Sequence, residues 1–255
     1  MLKALKTAAT GMDAQQRKLD VTANNLANVN TTGFKRSRAE FQEMLYTQER
    51  APGQGNPTGI ETGSGVRTSA TQKSFAQGTL EATQNPLDLA IEGDGFFTLT
   101  QDSGQPVYSR AGAFKVDNSG QVVNSDGLLL NPGISIPPDA TAVSIARDGT
   151  VRVVLDGETS EIEVGRIELT RFQNPAGLRA LGRGLFEATE ASGAAQEGLA
   201  GEEGRGMISQ GYLEGSNVQV TEEMIEMIVS QRAYEVNSKV IRTADEMLRA
   251  ATNIR

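Results

Sequence analysis

Few side chains in this sequence are spaced for chemistry. Glu161 and Glu163 alternate on one side of a strand-like run, so that one carboxyl could act as an acid and the other as a base. Charged residues on the solvated face of a strand explain them as well, and nothing nearby supplies a nucleophile or an oxyanion site. Gly93-Asp94-Gly95 has a Gly-x-Gly turn with no helix after it. It reads as a tight turn feeding Phe96 and Phe97 into a strand, with the rings supplying core. Residues 48–65, QERAPGQGNPTGIETGSG, lack the spacing and the Gly-Lys-Ser/Thr ending of a phosphate loop and read as an exposed loop. The chain contains no His, Cys or Trp. The commonest general base, the commonest metal ligand and the best nucleophile are therefore missing, along with disulfides and thiolate metal sites. The expectation is no enzyme, no cofactor and no metal.

The 255 residues suffice for one to two domains with a substantial core. A net charge of −8 argues against nucleic acid, whose phosphates need a basic face, and fits a self-associating protein kept soluble before assembly. No run is apolar enough to cross a membrane, so no direct membrane insertion is expected. Lys3 and Lys6 are followed by TAATGMDAQQRKLD, which lacks the apolar core of a secretory signal. Export by a route that reads an uncleaved N-terminus stays open.

The elements that must position anything functional lie at the two ends. Apolar residues fall at Leu2, Leu5, Ala9, Met12, Leu19, Ala23 and Leu26, with Gln16 in the one polar slot. The same rhythm returns at Val229, Ala233, Val236, Val240, Met247, Ala250 and Ile254, with Thr243 as its exception. Gaps of three and four place one residue per turn on a seam, the pattern of helices that lie along each other. The spacing predicts a helix from residue 2 to about 29 and another starting at Thr221, with Glu222 and Glu223 suited to its positive end. Lys3 and Lys6 sit at the wrong end for the helix dipole and are better explained by an interface or an export system. Four asparagines occur within Asn24–Asn30. They read either as amides engaged across a packed interface or as a frayed, solvated helix end. Gly33 then offers a residue tolerant of positive φ.

From Phe75 to about Phe186 the pattern is β. Val143 and Ile145 alternate into Val151 and Val153 around Asp148-Gly149, a hairpin signal. Further turns are expected at Asn118-Ser119-Gly120 and Asp126-Gly127, and Ile162, Val164, Ile167 and Leu169 continue the alternation near Gly165. Residues 190–206, EASGAAQEGLAGEEGRG, read as a surface loop.

ANNLANVNTTGFKRSR, residues 23–38, resembles the N-terminal signature of the bacterial flagellar axial proteins, the rod and hook family. PTGIETGSGVRTSAT (57–71) is similar to an extra stretch of the distal-rod member. QGTLEATQNPLDLAIEGDGFFTL (77–99) resembles the family's central signature, and residues 211–255, opening GYLEGSNVQVTEEMIEM, its C-terminal one. Gln84 departs from the family, which more often has Gly before Asn85-Pro86.

The resemblance implies an α+β fold. N- and C-terminal helices would pair in a discontinuous, coiled-coil-like domain, with a central antiparallel all-β domain and an extended Gly/Pro-rich arm. The expected division is 1–32 plus 212–255 for the helical terminal assembly domain, 33–74 for the connecting segment and arm, and 75–211 for the β domain. The implied role is a structural subunit of the distal rod, crossing the periplasm in the flagellar basal body, transmitting torque from motor to hook and enclosing the export channel. Its partners would be itself as a helical homopolymer, the proximal rod proteins, the hook protein, the peptidoglycan-associated and outer-membrane ring proteins, and the flagellar type III export apparatus. The assembly interface is expected at Leu2, Leu5, Met12, Leu19, Asn24, Asn25, Leu26, Asn28, Gly33, Phe34, Ile225, Val229, Tyr234, Val236, Val240, Met247 and Ile254. A rod-stiffening arm is expected at Pro57, Thr58, Gly59, Gly63 and Gly65. The alternatives are a proximal-rod or other member of the same axial family, and, further off, a monomeric binding module or an enzyme.

Overall fold

A computed structural model describes residues 2–50, 59–101, 103–157 and 160–253. The chain forms two compact units, one built from 1–27, 37–74 and 218–255, the other from 28–36 and 75–217.

In the first unit, α1 (Leu2–Ala27) and α2 (Val220–Asn253) pack together. Both helices begin and end within a few residues of the periodicity's limits. Two antiparallel ladders complete the unit. β1 (Ser37–Glu43) pairs with β4 (Val66–Lys73), and β2 (Tyr46–Arg50) pairs with β3 (Ile60–Gly63). β1 and β4 also lie against α1. The stretch read as a loop from residue 48 therefore carries strand pairing at both of its ends.

The second unit is antiparallel β throughout its pairings. It begins with β5 (Leu80–Ala82), β6 (Leu89–Glu92), β7 (Phe96–Thr100) and β8 (Pro106–Ser109). The short strands β9 (Lys115–Val116), β10 (Val122–Val123) and β11 (Leu129–Leu130) follow. Then come β12 (Ala140–Ile145), β13 (Thr150–Leu155), β14 (Glu161–Arg166) and β15 (Glu168–Arg171). The last are β16 (Arg179–Gly182), β17 (Leu185–Glu187), β18 (Gln196–Leu199), β19 (Met207–Gln210) and β20 (Tyr212–Glu214). Among the described residues the main sheet runs β16-β17-β8-β7-β11-β10-β9, with β15 joined to both β7 and β18. β12-β13-β14 form a second sheet, and β19 and β20 pair with β6 and β5.

Local chemistry explains these elements. Ile145 faces Val151 and Val143 faces Val153 across the Asp148-Gly149 turn, where Gly149 has φ +87°. Asn118-Ser119-Gly120 closes β9 on β10, and Asp126-Gly127 closes β10 on β11. Successive strand residues point to opposite faces, so β7 feeds two cores at once. Phe97 and Leu99 join a core with Leu89, Ile91, Phe114 and Ile167, while Phe96 joins Tyr108, Phe172, Leu178 and Phe186. The rings after Gly95 thus supply core, as their position predicts. The segment 190–206 differs from its reading as a surface loop. It contributes β18, and Ser192, Ala200 and Arg205 are buried. Arg205 donates to the Gln196 and Glu197 carbonyls and crosses Gly198 so closely that a Cβ there would lie 2.5 Å from Cζ. Gly198 makes room for that side chain.

Candidate assembly surface

The helix pair is held by small and polar residues. α1 buries Ala8, Ala14, Thr22 and Asn25, and α2 buries Glu223, Ser230 and Ala244. Met227, Asn237, Ile241 and Leu248 are half-buried at matching helical spacing. Gly11 meets Asn237, Lys18 pairs with Glu226, and Asn25 Nδ2 donates to the Glu223 carboxylate at 3.2 Å. Small residues at Gly11, Ser230 and Ala244 let the two helices approach closely, Met227, Ile241 and Leu248 are half-buried at the same spacing, and a separate apolar row remains on another face of α2.

That other face carries the seam expected of α2. Ile225, Val229, Val236, Val240 and Met247 lie one or two turns apart and are exposed, Val236 to 61%. Met224 and Ile228 are exposed beside them, whereas Tyr234, 39% exposed, shares its side of the helix with Ser230 and Asn237. On α1, the expected Leu5, Met12, Leu19 and Leu26 are half-buried, between the α2-facing row and solvent. Asn24 is exposed, Asn25 is buried and Asn28 is half-buried. Gly33 is buried with φ +68°, and an added Cβ would sit 2.6 Å from the Ala111 nitrogen, so glycine is required there twice over. Phe34 is half-buried in the β unit. The expected set is therefore not one cluster. Asn25 belongs to the helix pair, Gly33 and Phe34 to the β unit, Tyr234 to the side of α2 that carries Ser230 and Asn237, and the other described α2 residues to an open row. Of Leu2 only the helical backbone is described. Ile254, Pro57 and Thr58 lie outside the described residues. Gly59 precedes β3, Gly63 ends it against the Tyr46 ring, and Gly65 approaches Thr10 of α1.

Sequence reasoning missed the residues that hold each unit together. Ser230 is polar, and Ala244 lies off the apolar row read from the sequence. Lys35, Arg110 and Glu214 are charged, far apart in sequence and sealed in the β unit. Burial pushes the Lys35 ammonium below its ordinary value, and the Glu214 carboxylate works against that shift. At the ribbon, a hydrogen bond to Glu43 raises the Tyr46 phenol. Among the described residues no cluster of His, Cys, Asp and Glu could hold a metal ion, and no helix is long and apolar enough to cross a membrane.

The chain thus carries paired terminal helices and an antiparallel β unit, with an open apolar row on α2. Three family profiles match in chain order. They are the flagella basal body rod protein profile over 5–35, the D1 domain of the flagellar hook protein FlgE/F/G over 90–153, and the C-terminal region of the flagellar basal body rod FlgEFG proteins over 209–254. The flagellar basal-body rod protein FlgG of Caulobacter vibrioides is 49% identical over the whole of both chains. The FlgG of Borreliella burgdorferi is 47% identical over all of this chain and 99% of its own, and that of Bacillus subtilis 40% over the whole of both. The chain belongs to the family of flagellar basal-body rod proteins, structural subunits of the flagellar basal body and not enzymes.

Proposed function

We propose that the chain is the distal-rod subunit, polymerising through its terminal helices into a helical tube that transmits torque to the hook and encloses the export channel. The observation that carries this reading is the open apolar row of α2. Five aliphatic side chains spread over Ile225–Met247 stay in solvent although the helix already has a partner. Aligned apolar side chains on a helix call for a second surface, and a repeated contact that does not close on itself builds a helical polymer. The half-buried Leu5, Met12, Leu19 and Leu26 of α1 extend the interface, with Asn24, Asn28 and Tyr234 at its margins. In functional terms, 1–32 plus 212–255 form the assembly domain in coiled-coil-like pairing, 33–74 the connection and arm, and 75–211 the β domain. The arm at Pro57–Gly65 packs between neighbours and stiffens the rod. The exposed Leu45, Tyr46 and Ile60 on its ribbon support that role, Leu45 at 89% exposure. Partners are further copies, the proximal rod proteins, the hook protein, the peptidoglycan-associated and outer-membrane ring proteins, and the type III export apparatus. The rod they form crosses the periplasm.

The test is Val229→Asp and Val236→Asp. Both variants should fold with an unchanged melting temperature, because their side chains are already in water, and yet build no rods. A carboxylate buried at the subunit contact would have no partner. Normal rods and motility from both variants would overturn the proposal.

A further inference from the structure

Three charged groups are closed off inside the β unit. The Lys35 and Glu214 side chains are 0% exposed and that of Arg110 is 3% exposed. Lys35 Nζ donates to Glu214 Oε1 at 2.6 Å and to the Ala76 carbonyl at 2.9 Å. Arg110 donates to Glu214 Oε2 at 3.2 Å and to the carbonyls of Ile91 and Gly93 at 3.4 and 2.6 Å. The Gly78 amide donates to Glu214 Oε1 at 2.9 Å, and the Gly33 amide donates to the Glu214 carbonyl at 2.7 Å. Arg110 Nε has no hydrogen-bond partner among the described residues, and the exposed Asp94 acts on Arg110 only through space. Two cations thus share one bonded carboxylate.

The order of these groups along the chain matters. Lys35, Ala76, Gly78, Ile91, Gly93 and Arg110 all precede Glu214, which follows Lys35 by 179 residues and Arg110 by 104. A chain that emerges N-terminus first holds both cations and every accepting carbonyl before it holds the anion. Burying a cation against carbonyls alone is strongly unfavourable, and two like charges in one dry site are worse. We propose that Glu214 licenses closure of the base of the β unit: residues 33–36 and 76–78 stay open until its carboxylate arrives. The pairing of β20 with β5, Glu214 opposite Leu80, delivers the side chain in the same step that zips the strands. Closure is thereby tied to the root of α2, so the segments that lead from one helix and toward the other become fixed together. This inference stands independently of the rod reading.

Hydrogen exchange on the full-length chain tests it. Glu214→Gln keeps the shape and the strand and removes the charge. It should lower protection of the Gly33 and Gly78 amides by about 100-fold or more, while the Leu99 and Leu169 amides of β7 and β15 stay protected. Lys35→Met/Arg110→Met/Glu214→Gln, which removes all three charges, should return protection to within about tenfold of the unaltered chain. Unchanged protection in Glu214→Gln overturns the proposal. So does a triple variant as loose as Glu214→Gln, because shape and not charge would then be responsible. If Glu214→Gln fails to fold, a folded triple variant upholds the proposal and an unfolded one refutes it.

Discussion

The Asn25 side-chain amide pairs with the Ser37 peptide as a neighbouring strand would, accepting from Ser37 N–H at 2.9 Å and donating to Ser37 C=O at 2.8 Å. The same Nδ2 reaches Glu223 of α2, so one side chain joins α1, β1 and α2 within the helical unit. Asn25→Asp removes both donations and sets a carboxylate against Glu223 and a carbonyl. A buried, hydrogen-bonded polar group replaced by an opposed charge costs about 3 kcal/mol. Urea unfolding of the helical unit at neutral pH should show a loss of that order. A loss under about 0.5 kcal/mol would mean the amide is incidental.

This contact also shows how much was legible beforehand. Helix limits, hairpin turns and the β character of the middle follow from periodicity and turn chemistry, which are local. Which asparagine is structural does not, because Asn25 differs from Asn24 only in the face it lands on. The same holds for α2. Val229 and Val236 announce a seam, whereas the face that meets α1 mixes Met227, Ile241 and Leu248 with Ser230, Asn237 and Ala244, a weaker periodic signal. Lys35 and Glu214 are further still from legibility, since nothing near either in sequence reports a partner 179 residues away.

Ser230 carries a buried hydroxyl with no hydrogen-bond partner among the described residues. Ser230→Ala removes an unsatisfied polar group and supplies a better helix former, so it should stabilise the helical unit by about 1 kcal/mol. Thermal unfolding checks it, and a drop in melting temperature would mean that the hydroxyl is satisfied in solution.

Gln84 holds φ +61°, a left-handed conformation at the residue where the resemblance to the axial proteins expects glycine. For a residue with a Cβ this costs about 1 kcal/mol, partly offset by the greater freedom glycine has in the unfolded chain. Gln84→Gly should therefore stabilise the β unit by about 0.5 kcal/mol, read as a rise in the denaturant midpoint. Gln84→Val, branched at Cβ, should lower that midpoint.

The Asp148 carboxylate accepts from the Thr150 amide and hydroxyl at 3.1 and 3.0 Å, and these bonds hold its pKa below the ordinary aspartate value. A depressed folded-state pKa stabilises the fold above the unfolded-state value, and that contribution is lost as pH falls through the folded one. Asp148→Asn retains an acceptor for Thr150 and loses the charge. The difference in stability between the two chains should be present at pH 7 and shrink as the pH falls below the ordinary aspartate range and through the folded-state pKa. A difference that does not change with pH would place its origin in the turn backbone instead.

Deleting residues 221–255 separates the two units' contributions. The deletion removes nearly all of α2 and with it the Glu223 partner of Asn25 and the packing of α1 against α2, so the helical unit should lose its cooperative unfolding. The β unit ends at Asn217 and keeps its cores and the Lys35–Glu214–Arg110 cluster. Its circular dichroism and its own melting transition should survive within about 5 °C of the full chain. No rods should form, because Ile225 to Met247 are gone. Loss of the β transition in the shortened chain would show that the two units fold as one; normal rods would remove α2 from the assembly surface altogether.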